Sequence, residues 1–89
     1  MGTMEGTETI QQELFNYVRE NTYKDVSNLE AGTMLFIEGI LDSMGFALLL
    51  DFLEEKFAIK AQDSDLVEEN FESVQAITKF IQKKQQEAA

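Results

Sequence analysis

Residues 43–57, Ser-Met-Gly-Phe-Ala-Leu-Leu-Leu-Asp-Phe-Leu-Glu-Glu-Lys-Phe, constrain the fold more than any other stretch of the chain. Wound as a helix at about 100° per residue, they separate into two faces. Phe46, Leu49, Leu50, Leu53 and Phe57 share one side, which reads as core. Met44, Ala47, Leu48, Asp51, Glu54 and Glu55 share the other, and Phe52 lies on a flank. A helix from Ser43 or Met44 to Phe57 with so apolar a face needs other elements to cover it. The outer face holds a small apolar patch, Met44 and Leu48, inside a rim of acids. Stray apolar residues on a solvated face are ordinary. An apolar centre rimmed by charge is also how a transient docking surface is built.

Two more stripes supply the cover. Ile10, Leu14, Tyr17 and Val18 recur at helical spacing, with Phe15 to the side, and predict a helix over about 8–21. Thr7 or Thr9 offers its N-cap, and Thr9 with Gln12 has capping-box spacing. Val74, Ile77, Phe80 and Ile81 form the stripe of a last helix over about 74–84, capped by Ser73, with Lys79, Lys83 and Lys84 towards its C-terminal end. Between the first two helices, residues 22–42 form a long connection. Val26, Leu29, Met34, Leu35, Phe36, Ile37, Ile40 and Leu41 can anchor it, Gly32 and Gly39 supply turns, and a short helical turn fits 33–37. Residues 58–72 form a second loop with room for a short helix; Asp65 with Glu68 has capping spacing, and Leu66, Val67 and Phe71 can pin it to the core. No strand pattern and no proline interrupt the series. The expected fold is all-α: a small four-helix bundle, three main helices plus one short helix, with a long first loop. It is a single domain over residues 1–89, with frayed tails at 1–6 and 85–89.

Composition narrows the chemistry. The chain has no cysteine and no histidine. That removes the usual nucleophile–base arrangements and zinc sites built on thiolate and imidazole. Asp63-Ser64-Asp65 fails as a calcium loop, because Glu68 and Val74 stand where glycine and glutamate are required. No metal site and no catalytic residue is read, and a carboxylate enzyme using Asp42 and Glu38 has nothing to orient the pair. No apolar run is long enough to span a bilayer, and no signal peptide is present, so the expected location is cytoplasmic. Net charge is −10, and residues 38–72 carry ten acids against Lys56 and Lys60, a net of −8. Such a field disfavours nucleic acid and anionic membrane and attracts basic protein surfaces.

The junction Gly39-Ile40-Leu41-Asp42-Ser43-Met44-Gly45 leads from the long connection into the apolar helix. Ser43 at the N-terminus of that helix has two readings. Its hydroxyl can cap the helix. It can also carry a phosphate, since the unpaired N–H groups and the dipole favour an anion there. Asp42 on its own reads as a solvated acid near a helix start.

From Phe36 to Ile81 the chain resembles the acyl carrier protein family, peptidyl carrier domains included. The resemblance rests on Leu35-Phe36-Ile37-Glu38-Gly39-Ile40-Leu41-Asp42-Ser43-Met44, on Leu53-Glu54-Glu55-Lys56-Phe57, on Asp63 to Phe71, and on Ser73-Val74-Gln75-Ala76-Ile77. The family's attachment motif is Asp-Ser-Leu or a close variant, and Asp42-Ser43-Met44 matches it with methionine in the apolar place.

The resemblance implies a carrier and not an enzyme. A phosphopantetheinyl transferase would move 4′-phosphopantetheine from coenzyme A to Ser43, with Asp42 and Met44 as part of the recognised motif. The arm would hold acyl or aminoacyl groups as thioesters, as in fatty acid, polyketide or nonribosomal peptide synthesis. Met44, Leu48, Asp51, Glu54 and Glu55 resemble the family's docking face for loading enzymes and downstream synthases with basic surfaces, the carrier acting as a monomer. Leu48-Leu49-Leu50 makes the helix more apolar than in many fatty-acid carriers. Gly45 stands where a helix former is expected, at up to about 1 kcal/mol, or opens the backbone to an arm or partner. Asp42 to Gly45 is also similar to the D-alanyl carrier proteins, while Asp63 to Phe71 looks more like peptidyl carriers. The alternative is an unmodified acidic helical interaction module in which Ser43 is only a helix N-cap.

Overall fold

The computed structural model describes residues 6–22 and 26–88. Four helices account for the regular structure: α1 over Thr7–Glu20, α2 over Ser43–Phe57, a short α3 over Glu68–Phe71 and α4 over Val74–Ala88, with a 3-10 turn at Asp63–Asp65. No strand occurs among the described residues. The Cα radius of gyration is 12.5 Å, close to the about 12 Å expected of a compact chain of this length. The expected four-helix architecture with a long first connection is what the chain adopts.

The helical stripes meet as their spacing requires. Ile10, Leu14 and Val18 of α1, Leu49, Leu53 and Phe57 of α2, and Val74, Ile77, Phe80 and Ile81 of α4 are all buried. Phe46 and Leu50 pack against this core while only partly buried. α4 packs against α1, α2 and α3. α1 and α2 run antiparallel: Lys56 pairs with Glu13 at 3.2 Å, and Tyr17 stacks on Phe52 with ring centroids 4.3 Å apart. A chain of ring contacts, Phe36 to Phe46 to Phe71 to Phe80, ties the first connection through α2 and α3 to α4.

Several boundaries and anchors differ from the sequence reading. α1 begins at Thr7 with Gly6 as its N-cap and no side-chain cap, so neither Thr7 nor Thr9 caps it; both lie inside the helix. α4 does not fray at residue 85 but continues to Ala88. Lys84 holds its last turns by pairing with Asp65 at 2.9 Å and Glu87 at 3.3 Å. The expected tail at 1–6, apart from Gly6, lies outside the described residues, as does Ala89.

In the second loop the box is Gln62 with Asp65, not Asp65 with Glu68: the Asp65 carboxylate accepts from the Gln62 N–H at 2.9 Å. Phe71 and Ile59 pin this loop deeply, whereas Leu66 and Val67 are 42% and 43% exposed. Ser73 does cap α4, its Oγ accepting from the Ala76 N–H at 3.1 Å.

The first connection is built into the fold by backbone bonds. The Leu35 N–H donates to the Glu72 carbonyl and the Gln75 N–H to the Ala31 carbonyl, both at 2.8 Å. Leu35 and Leu41 are buried, and Leu29, Phe36 and Ile40 pack on the core. Ile37 does not anchor: it is 72% exposed, because the turn that buries its neighbours Leu35 and Phe36 leaves it outside.

Candidate functional site

The turn before α2 fixes where the helix starts. The Glu38 N–H donates to the Met34 carbonyl at 2.9 Å, and the N–H groups of Ile40 and Leu41 both reach the Leu35 carbonyl, at 2.9 and 3.1 Å. Gly39 turns the chain at φ 74°, in the region that favours glycine. With Leu35 and Leu41 buried on either side of this turn, Asp42 is presented at a set position.

Asp42 is the N-cap of α2. Its backbone is extended, its carboxylate accepts from the Gly45 N–H at 2.7 Å, and its carbonyl takes the first intrahelical bond from the Phe46 N–H at 2.8 Å. Ser43 is therefore not the cap. It is the first helical residue, exposed, and its hydroxyl makes no hydrogen bond among the described residues. The cap-only reading of Ser43 fails on this point, because a carboxylate one residue earlier already holds the N–H that a serine cap would have taken.

Gly45 belongs to the same arrangement. A Cβ there would stand 3.1 Å from Asp42 Oδ1 and 3.2 Å from Leu41 Cδ1. The glycine therefore makes room for the cap and for the packing of Leu41.

The outer face of α2 presents Met44 and Leu48, 74% and 53% exposed, with Asp51 and Glu55 also exposed. Glu54 is set apart from them. It is half-buried, and its Oε2 accepts from the Ala61 N–H at 3.0 Å, tying α2 to the loop that follows. Of the five residues read as a docking face, four are free to meet a partner and one has a structural contact. Two of the lysines are engaged elsewhere: Lys56 is paired with Glu13, and Lys84 lies at the far loop with Asp65.

A cleft of about 630 Å³ opens between α1, the first connection and the start of α2. Asp42 and Met44, on either side of Ser43, both line it. So does Tyr17, whose phenol is pushed above its usual range by burial and by the nearby Asp51 carboxylate. Sequence periodicity did not reveal the cleft, because it depends on how α1 and the connection are placed against α2. Among the described residues no cluster of three acidic side chains is placed to hold a metal ion, and no helix is long and apolar enough to cross a membrane. In comparisons with known proteins, no family model matches the chain and no curated relative matches it.

Proposed function

We propose that the chain is a carrier protein, in the cytoplasm, that holds acyl or aminoacyl intermediates as thioesters on a 4′-phosphopantetheine arm attached to Ser43. The observation that carries this reading is the division of labour at the start of α2. Asp42 caps the helix, and Ser43 beside it presents an exposed hydroxyl with no structural bond to keep.

The residues present fit an esterified phosphate. The N–H groups of Ser43 and Met44 precede the first intrahelical bond and lie at the positive pole of α2, where an anion is favoured. The surrounding acids oppose a further negative charge, but Asp42, Asp51 and Glu55 are exposed, where water and salt screen them. In the attachment step the Ser43 hydroxyl oxygen would form the new bond to phosphorus, losing its proton, as the nucleotide half of coenzyme A leaves. The chain has no thiol, so the arm would supply the one on which thioesters form.

Met44 and Leu48, with Asp51 and Glu55 around them, suit brief contact with basic surfaces of a phosphopantetheinyl transferase and of loading and downstream enzymes. Charge of this kind speeds encounter more than it tightens binding, which serves a monomer that must pass between enzymes. The test is transfer of a phosphopantetheine-sized mass from coenzyme A to the wild-type chain and not to Ser43→Ala.

A further inference from the structure

Met44 puts a thioether where the attachment motif that the chain resembles has leucine. It directly follows Ser43, at the second position of α2. At 74% it is the most exposed large apolar side chain among the described residues. A leucine in that place is inert to peroxides. A thioether is oxidised to a sulfoxide, which turns a flexible apolar side chain into a polar one, and exposure favours the reaction.

The chain has no cysteine to compete for a peroxide, and it has four methionines. Met1 and Met4 lie outside the described residues. Met34 is half-buried in the turn before α2, where its carbonyl takes the Glu38 N–H. Asp51 and Glu55 stand exposed on the face that carries Met44. They repel an anionic oxidant but not an uncharged peroxide.

We propose that Met44 is a site of reversible oxidation by hydrogen peroxide, and that its sulfoxide slows phosphopantetheine transfer to Ser43. In the step, the Met44 sulfur attacks a peroxide oxygen, and an S–O bond forms as the O–O bond breaks. The departing hydroxide takes the proton from the new S–OH group. The sulfur is oxidised to the sulfoxide and hydrogen peroxide is reduced to water. Met44 and Leu48, one turn on, form the apolar centre that a transferase would cover. Covering a sulfoxide there strips water from its oxygen without returning a hydrogen bond. The core is untouched, because the Met44 side chain lies outside it. The effect on transfer rests on the carrier reading; the oxidation does not.

The test treats the wild-type chain, Met44→Leu and Met34→Leu with hydrogen peroxide and follows each sulfoxide by peptide mass mapping. Samples are desalted when Met44 is oxidised and Met34 is not. They are then incubated with coenzyme A, magnesium and a phosphopantetheinyl transferase, with a known carrier in parallel. Intact mass gives each chain's loading rate relative to its own untreated form. Met44 should oxidise ahead of Met34. The kcat/KM for transfer should then fall about tenfold in the wild type and in Met34→Leu, as expected for one polar group covered without a partner. Met44→Leu should keep its untreated rate. Methionine sulfoxide reductases of both epimer specificities should restore the wild type. Tm should match that of the untreated chain.

Oxidation of Met44 no faster than that of Met34 overturns the proposal. So does an unchanged loading rate in the oxidised wild type, or an equal loss in Met44→Leu. A fall in Tm that accompanies the loss of loading overturns it in favour of damage to the fold. No loading of the untreated wild type, while the known carrier is loaded, overturns the carrier reading and the effect on transfer with it; rapid oxidation of Met44 in that case upholds the oxidation site alone.

Discussion

The Asp42 carboxylate and the Gly45 N–H meet at 2.7 Å, and Gly45 has no Cβ to contest the approach. Ser43 sits between them in sequence and takes no part in the bond. The helix start is thus stabilised by its neighbours, which leaves the serine hydroxyl free for chemistry. This predicts a clear asymmetry in stability. Asp42→Ala should cost about 1 kcal/mol through loss of the cap. Ser43→Ala, at an exposed first helical position, should change stability by less than about 0.5 kcal/mol. Urea unfolding of both variants checks the difference, and equal losses would mean that the serine shares the cap.

Gly45→Ala tests the steric half of the same relationship. In an open helix interior, alanine for glycine gains about 1 kcal/mol. Here the new Cβ would crowd Asp42 Oδ1 and Leu41 Cδ1, so the gain should be much smaller or absent. In an Asp42→Ala background the carboxylate is gone, and part of the gain should return. A double-mutant cycle by chemical denaturation measures that coupling directly.

Ala58 closes α2 in the left-handed region, at φ 55° and ψ 40°. A Cβ in that conformation is strained, whereas glycine adopts it freely. Ala58 is exposed, so no packing is lost on truncation. Ala58→Gly should stabilise the fold by about 0.5–1 kcal/mol, the strain relieved exceeding the added flexibility of the unfolded chain. A lowered Tm would show that the position carries no strain.

The far end of the bundle should respond to acid. The Gln62 N–H bond, first, and the Lys84 ammonium, second, hold the Asp65 carboxyl below its usual range. A carboxyl depressed in the folded state contributes stability that is present above its unfolded value of 3.8 and is lost as pH falls through the folded one. Lys84, raised chiefly by its hydrogen bond to Asp65, contributes stability that is present below its unfolded 10.5 and is lost as pH rises through the folded value. Asp65→Asn can keep the bond from Gln62 but loses the ion pair. Its Tm should fall less than that of the wild type as the pH drops from about 5 downward. Parallel Tm curves for the two proteins would show that this pair does not contribute.

Much of this architecture was written in periodicity. The stripes of α1, α2 and α4 bury most of the residues that their spacing marks, with Tyr17, Phe46 and Leu50 only partly covered, because a helix surface is set by local geometry and a core needs one apolar face from each element. The capping of Ser73 was legible for the same reason. What the sequence hid depends on competition between neighbours. Asp42 and Ser43 are both good caps, and only the path set by Leu35, Gly39 and Leu41 decides that Asp42 takes the role. Ile37 looked like an anchor because its composition matches its neighbours, yet the turn at 35–39 leaves it in solvent. Glu54 looked like one more acid on the outer face, and its bond to the Ala61 N–H depends on where the chain goes after Ala58. The Asp42-Ser43-Met44 motif was visible at once, but the cleft beside it arises from three separate segments and has no signature along the chain.

The most direct measurement is the intact mass of the wild-type chain and of Ser43→Ala after incubation with coenzyme A, magnesium and a broad-specificity phosphopantetheinyl transferase. A known carrier is loaded in parallel, and circular dichroism is recorded on both chains. A carrier at Ser43 predicts a phosphopantetheine-sized gain on the wild type, none on the variant, and matching helical spectra. No gain on a folded wild-type chain while the known carrier is loaded, or an equal gain on Ser43→Ala, would contradict it.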